Sequence, residues 1–326
     1  MKHISILVPE GAVALSTIEG SYIAFTKVND FLVGMGKAPL FKIQLIGLTK
    51  EPQQYSKFFT VVPDLEVNDF PKTDLIIIPA TNGDMKKVIQ ENAAFVPWMV
   101  QQYKEGAELA SLCVGAFLMA STGLLKGKQC STHWMAEHEF RSLFPDVHLV
   151  SEKIITDEQG IYSSGGAHSF WNLLLYLIEK YVNREMAILA SKYFVIEIDK
   201  SSQSSFIIFR GQKEHDDEDV KKAQEYIEQH YTGKITVDEL ADEFAIGRRS
   251  LERRFKKATS NTVTEYVQRV KIEAAKKSFE TNRKNINEVM FDVGYTDIKA
   301  FRDVFKKITG MTPINYRNKF NRNTAV

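Results

Sequence analysis

Phe255-Lys-Lys-Ala-Thr259-Ser-Asn-Thr262-Val-Thr-Glu-Tyr266 returns 50 residues later as Phe305-Lys-Lys-Ile-Thr309-Gly-Met-Thr312-Pro-Ile-Asn-Tyr316. Upstream, Leu240, Ala241 and Phe244 answer to Val289, Met290 and Val293 at an offset of 49, so the second copy carries one extra residue in its turn. Each copy reads as a helix, a turn and a second helix. In the first, Thr236 or its neighbour caps a short helix with an apolar face of Leu240 and Phe244, and Ala245–Gly247 turns the chain into a helix predicted over Arg248–Thr259. In the second, Gly294 supplies the turn and the following helix is predicted over Asp297–Ile308. Leu251 and Phe255, and again Phe301 and Phe305, stand four residues apart, share one helix face and anchor it to a core.

The faces left outside are basic. Arg248, Arg249, Arg253 and Lys256 lie on the first, and Lys299, Arg302 and Lys306 on the second. An exposed basic helix is what the major groove of DNA admits, with some side chains on base edges and others on phosphates. Taken singly, such a helix is as often just a solvated face; its recurrence with the same anchors favours a polyanion. A connecting helix predicted over Val263–Glu280 is about 27 Å long at the helical rise, close to one DNA turn of about 34 Å. Two units so joined would enter successive major-groove segments on one side of a duplex.

Charge is divided along the chain in the same sense. The net charge of +1 over 326 residues conceals 20 Lys and Arg against 12 Asp and Glu from Gly233 onward, and 22 against 29 before it. A basic module attached to an acidic one predicts two domains with different work. The amino-terminal part reads as α/β, with strand-like runs at His3–Val8, Phe41–Leu48, Asp74–Pro79 and Glu108–Cys113 and an apolar helix at Phe170–Tyr181. A helical stretch follows at Arg184–Phe194, then the serine-rich Asp199–Ser205 and the acidic run Glu214–Asp219, read as solvated helix-start chemistry. The opening MKHISILVPEG reads as a strand rather than a signal peptide, and no run reaches the roughly 18 apolar residues of a membrane span, so a soluble cytoplasmic protein is expected. Two cysteines fit a reducing compartment and supply no disulfide framework, metal site or cofactor site.

Cys113 ends a buried-strand pattern and is followed at once by a helix pattern, Cys113-Val-Gly115-Ala-Phe. Two readings balance here. A thiol at a helix N-terminus gains thiolate character, whereas a free cysteine in a core strand is ordinarily a small buried hydrophobe. His133, a lone histidine, is more often structural than catalytic; His168 reads as a capping or packing residue, and Cys130 has no recognisable partner.

Two resemblances follow from these residues. Leu240–Thr259 with Val289–Arg317, including Gly294-Tyr295, Phe301, Phe305 and Pro313 to Arg317, resembles the AraC/XylS DNA-binding domain. That resemblance implies base-reading positions at Arg249, Glu252 and Arg253 in the first unit and Lys299, Ala300 and Asp303 in the second. Asp303 is a departure, an acid where a donor is common, which leaves the second helix to anchor and orient. Asp74-Leu-Ile-Ile-Ile-Pro79, Cys113-Val-Gly-Ala-Phe, Gly123-Leu-Leu, Thr132-His-Trp134 and Ser163-Ser-Gly-Gly166 resemble the PfpI-type branch of the class I glutamine-amidotransferase-like superfamily.

Together these resemble the GlxA-like regulators, and they imply a flavodoxin-like α/β sandwich joined to an all-α double helix-turn-helix domain. The divisions are expected at residues 1–195 for a sensing and dimerising domain, 196–215 for a linker and 216–326 for the DNA-binding domain. The sandwich would hold Cys113 at a pocket floor, with the Asn82-Gly83 turn supplying backbone donors. In hydrolytic relatives an acid on the loop after the first strand partners the cysteine. Ser16 stands at that position here, and Val114 stands where protease-like members have a histidine. His133 is the remaining base within reach through the fold. The expected function is a DNA-binding regulator, without catalysis, answering to a small effector related to amines or amino acids. Expected partners are double-stranded DNA, a second copy of the chain and, as a further candidate, RNA polymerase. The alternatives are a redox-responsive regulator acting through Cys113 and a PfpI-like hydrolase or hydratase with an appended module.

Overall fold

A computed structural model describes residues 1–55, 57–69, 72–198 and 200–321. The chain divides into two compact units, Met1–Gln203 and Ser204–Val326, so the division falls inside the 196–215 stretch expected to be linker. Asp199, the start of the serine-rich part of that stretch, lies outside the described residues, as do positions 322–326.

The first unit runs β1 (Lys2–Val8), α1 (Leu15–Gly34), β2 (Phe41–Gly47), the antiparallel pair β3 (Gln53–Tyr55) and β4 (Phe59–Val61), β5 (Leu65–Glu66) and β6 (Leu75–Ile78). It continues through α2 (Met85–Glu91), α3 (Phe95–Lys104), β7 (Glu108–Leu112), α4 (Ala116–Ser121), β8 (Gln129–Cys130), α5 (Glu137–Leu143) and β9 (His148–Leu149). β10 (Ile155–Glu158), β11 (Ile161–Ser164), α6 (Phe170–Tyr181) and α7 (Arg184–Phe194) complete it. Seven strands form one sheet in the order β10-β11-β7-β6-β1-β2-β5, parallel throughout except for β10 at one edge.

β6 shows why this sequence builds a covered parallel sheet. Its four residues Leu75-Ile-Ile-Ile78 are all fully buried, and they alternate between two cores. Leu75 and Ile77 join the core under α1, α6 and α7; Ile76 and Ile78 join the core with Met85, Phe95 and Phe117 from α2, α3 and α4. A strand with both faces covered needs apolar residues at every position, the pattern read in the sequence. Each fully buried aliphatic side chain there contributes roughly 1.5–3 kcal/mol by removal from water.

The amino-terminal end of β7, inside that sheet, carries a polar network that the sequence does not announce. Glu108, at the start of β7, accepts hydrogen bonds from Tyr162 Oη at 2.8 Å, from Lys180 Nζ and from Tyr181 Oη. Burial works against its ionisation, but the three donors together outweigh burial and hold the carboxyl below the usual glutamate range. The same contacts raise the Tyr162 and Tyr181 hydroxyls, with burial the larger cause in both.

The second unit is all helical. It consists of α8 (Glu218–His230), α9 (Val237–Glu243), α10 (Arg248–Thr259), α11 (Val263–Thr281), α12 (Ile286–Asp292), α13 (Ile298–Thr309) and α14 (Pro313–Phe320). The acidic run does start a helix: Asp217 caps α8 by accepting from Val220 N at 3.2 Å, and Glu218 and Asp219 occupy its first turn. No helix among the described residues is long and apolar enough to cross a membrane.

The Glu108 network yields a stability prediction specific to the first unit, because Trp98, Trp134 and Trp171 all lie there. Glu108→Gln leaves three donors facing a weaker acceptor and should destabilise the unit by about 2 kcal/mol near neutral pH. A carboxyl depressed by folding stabilises above its unfolded value, near 4.5, and that contribution disappears as pH falls through the folded value. Tryptophan-monitored urea unfolding should therefore show the gap between wild type and variant closing as pH drops below about 4.5; a gap independent of pH would contradict it.

Candidate DNA-binding interface and cysteine elbow

Each recurring residue of the 50-residue repeat does the same work in both copies. Thr259 Oγ1 donates to Phe255 O at 2.8 Å and accepts from Asn261 N at 3.1 Å; Thr309 Oγ1 donates to Phe305 O at 2.8 Å and accepts from Met311 N at 3.2 Å. Ser260 and Gly310 end their helices in the left-handed region, at φ 58° and 73°. Thr262 and Thr312 then cap α11 and α14, accepting from Glu265 N and Asn315 N. Tyr266 and Tyr316 are buried, and each hydroxyl donates to a glutamate, Glu228 and Glu280. The repeat is thus a closing device for a helix-turn-helix. The helices α9 and α12 begin with reciprocal capping boxes, Thr236 with Glu239 and Asn285 with Glu288.

The turns differ as the offset demands. Between α9 and α10 stands Ala245 at φ 51°; between α12 and α13 the longer turn holds Gly294 at φ 74°. A Cβ at Gly294 would overlap the carbonyl oxygen of Thr232, so glycine is required there by packing as well as by backbone angle.

α10 and α13 present matching faces. Leu251, Phe255 and Thr259 are buried in α10, as are Phe301, Phe305 and Thr309 in α13. Every side chain expected to face DNA is exposed: Arg248, Arg249, Glu252, Arg253 and Lys256 on α10, and Lys299, Ala300, Arg302, Asp303 and Lys306 on α13. They differ in what holds them. Arg248 is engaged by Asp238 at 3.0 Å and Glu252 at 3.6 Å, and Lys256 by Ser260 O at 2.8 Å and Glu265 at 3.7 Å. Arg249, Arg253, Lys299, Arg302 and Lys306 have no ion-pair partner among the described residues. The dense arginine face therefore resolves into two uncommitted arginines and a third held by carboxylates.

Two further basic groups sit inside the domain and escaped sequence reading. Arg254, on the flank of α10, makes a two-pronged ion pair with Asp217 and reaches Asp219 at 2.9 Å, fastening the first reading helix to the start of α8. The Arg254 guanidinium holds the Asp217 carboxyl below the usual aspartate range. Lys271, buried in the middle of α11, donates to Gly233 O and Gly294 O, both at 3.1 Å. Nothing in a lysine's identity separates these from solvated charges; only the packed neighbours do.

In the first unit Cys113 sits just past the carboxyl end of β7, and its backbone takes φ 55°, a strained value for a residue with a Cβ. The elbow is held tightly. Cys113 N donates to Ser164 Oγ at 3.2 Å, and Thr132 Oγ1 donates to Cys113 O at 3.1 Å. A Cβ at Gly115 would collide with the Ile78 and Pro79 carbonyl oxygens, so glycine lets the turn lie against the end of β6. The thiol is only 5 % exposed. Burial pushes it up to about 11, and a hydrogen bond from the Val114 backbone opposes this without overcoming it. The thiolate gain of a helix N-terminus is outweighed by desolvation. Cys130 is fully buried and pushed up to about 12 for the same reason, with a hydrogen bond from Ser163 the smaller, opposing influence.

The other residues expected around the thiol are distributed as follows. Ser16 is exposed on the first turn of α1, and its buried neighbour Thr17 donates to Ala14 O at 2.7 Å and accepts from Ala80 N at 3.1 Å. Asn82 and Gly83 are exposed, and the Asn82 N–H is taken by Ala12 O at 2.7 Å, so it is not an available donor. On that same loop the Thr81 hydroxyl is buried without a hydrogen-bond partner. His133 is half-buried, accepts from Met135 N at 3.1 Å through Nδ1, and is held below the usual histidine range by burial. His168 is exposed. Among the described residues no group of three or more His, Cys, Asp or Glu side chains is arranged to hold a metal ion.

Comparison with known proteins agrees with both halves of this description. Residues 240–319 match a helix-turn-helix domain family and residues 35–180 match the DJ-1/PfpI family. The chain is 25% identical over 268 residues to the HTH-type transcriptional regulator GbdR of Pseudomonas aeruginosa, covering 79% of this chain and 69% of that protein. It is 22% identical over 289 residues to the HTH-type transcriptional regulator CdhR of the same organism, covering 85% and 81%. A putative transcriptional regulator from Vibrio parahaemolyticus, 21% identical, shares the fold over 59% of this chain and 98% of its own with a TM-score of 0.53. The chain thus carries a domain matching the DJ-1/PfpI family ahead of one matching a helix-turn-helix family, and it is similar along most of its length to HTH-type transcriptional regulators.

Proposed function

We propose that this chain is a sequence-specific DNA-binding transcription regulator whose DJ-1/PfpI domain answers to a small effector and joins two copies of the chain. The observation that carries the DNA-binding reading is the pair of helices α10 and α13, buried through equivalent residues and exposing uncommitted basic side chains. The similarity to GbdR and CdhR, both named HTH-type transcriptional regulators, supports the same reading. Base discrimination falls mainly to α10, where Arg249 and Arg253 are unengaged. The acid at Asp303 leaves α13 the task of holding phosphates through Lys299, Arg302 and Lys306. The protein works where the DNA is, in the cytoplasm.

The DJ-1/PfpI domain is a binding module rather than an enzyme. Ser16 stands where hydrolytic relatives carry the acid, and a hydroxyl cannot hold a thiol's proton as a carboxylate does. Cys113 itself is a neutral thiol at physiological pH, which makes it a poor nucleophile and argues against a peroxide-sensing role as well. An effector bearing an amine or an amino-acid group is the favoured class, by analogy with the family.

Two outcomes are expected. Arg253→Ala should cost about 1–3 kcal/mol of specific binding and relax base choice at one position. Fluorescence anisotropy on DNA selected by the wild type reads this, and an unchanged affinity and footprint would refute the assignment. Native Cys113 should react slowly with iodoacetamide at neutral pH and faster by about tenfold per pH unit as pH rises toward 11. Peptide mapping by mass spectrometry separates it from Cys130, and rapid labelling at pH 7 would show a thiolate that burial does not permit.

A further inference from the structure

The residues that open the second unit do not trail away from it. Ser204–Phe206 form a short helical turn packed against α13, and the Phe206 ring meets Phe320 of α14 edge to face at 5.9 Å, with Lys319 Nζ above it at 4.8 Å. Next, a buried ion pair on α11 grips the backbone: Lys276 Nζ donates to Ile207 O, and Glu273 Oε2 accepts from Phe209 N at 3.1 Å, the two side chains lying 2.7 Å apart. Phe209 then packs edge to face on Tyr266 at 5.1 Å and lies under Arg269 at 5.8 Å. Gly211, at φ 68°, passes so close to Tyr266 Oη that a Cβ would collide with it. Gln212 ends the run, its carbonyl accepting from Gln224 at 3.0 Å and its side chain from Asn261 at 3.2 Å.

We propose that residues 204–212 are a strap that fixes the pose of α13 relative to α10, so that the spacing of the two DNA segments the helices contact is set by this segment. The inference rests on the DNA-binding reading. Within nine residues the strap touches the second reading helix at its start, the middle of the connecting helix through a buried charge pair, and the core of the first helix-turn-helix at its end. Removing an ion pair of this kind from backbone partners leaves buried groups unsatisfied, so the strap is held in one register. A groove of about 830 Å³ bordered by Phe209, Arg210, Tyr231 and Lys277 lies beside it.

The residue before the strap is fastened just as firmly in the first unit. Gln203 is 2 % exposed there, its Nε2 donating to Ser151 O at 2.7 Å and Thr132 O at 3.0 Å, while Thr132 Oγ1 holds the Cys113 carbonyl.

The test uses the full chain and two variants, Phe209→Ala and Gly211→Ala, neither of which alters charge or the DNA-facing side chains. DNA is first selected from a random duplex library by the wild type; base pairs are then inserted between the two contacted segments and affinities compared. The wild type should discriminate against the inserted DNA by on the order of tenfold, and the strap variants should lose most of that discrimination while still binding. Hydrogen exchange on the wild type gives a readout free of any substitution: the Phe209 amide should be as protected as those of α11. Variants that keep the wild-type ratio, or a strap amide exchanging as unstructured chain, would overturn the proposal. A wild type that selects no DNA would instead overturn the DNA-binding reading and the strap's role with it.

Discussion

The two reading helices hold a fixed relation because Lys271 binds both halves of the domain at once. Its ammonium lies between the carbonyl of Gly233, which precedes α9, and that of Gly294, which precedes α13. Burial lowers its proton affinity, so the charge is held there at a cost that only two well-aligned acceptors offset. The same point forces Gly294: the turn before α13 presses on Thr232, and no other residue fits both the contact and the left-handed backbone. The extra residue in the second copy of the repeat therefore has a physical reason. It belongs to the turn whose Gly294 lies against Thr232 and shares Lys271 with Gly233, at the entry to the first helix-turn-helix.

Much of this architecture is legible without coordinates. The bounds of α10 agree with the sequence reading at both ends, because Gly247 and Thr259 punctuate it and Leu251 and Phe255 fix its face. β6 is equally plain from four consecutive apolar residues. The illegible parts share one feature: their meaning comes from neighbours distant in sequence. Lys271, Lys276 and Glu273 look like an ordinary solvated helix face, and they are buried because the strap and the turn of the second unit cover them. Residues 204–212 look like linker for the complementary reason, since serines and short polar runs are read as loop and the aromatic anchors Phe206 and Phe209 are too sparse to show periodicity. The engagement of Arg248 is equally hidden in the sequence, because its partner Asp238, ten residues away, is on another helix.

The cysteine elbow teaches a related lesson about local and global effects. Strand, cysteine and helix in succession point to a reactive thiol, and the backbone indeed adopts the strained turn. Yet the environment works against ionisation: the sulfur is 5 % exposed, and burial raises its hold on the proton more than the backbone hydrogen bond lowers it. The strain, the Ser164 and Thr132 hydrogen bonds and the glycine against β6 all serve to position the loops at the carboxyl end of the sheet, where ligands of open α/β sheets bind.

The asymmetry of the two DNA-facing helices then follows from how each is mounted. α10 is fastened on its flank by Arg254 to Asp217 and Asp219, leaving Arg249 and Arg253 unengaged on a rigid support, the condition under which bidentate base contacts discriminate. α13 carries Asp303 among its basic side chains, as α10 carries Glu252, and what distinguishes it is that its contact with DNA depends on being held at the right height and angle. Its support comes from α11, α14 and the strap, elements shared with the rest of the chain. A helix that reads little by itself but must be placed correctly is the element through which a signal can act without altering sequence preference.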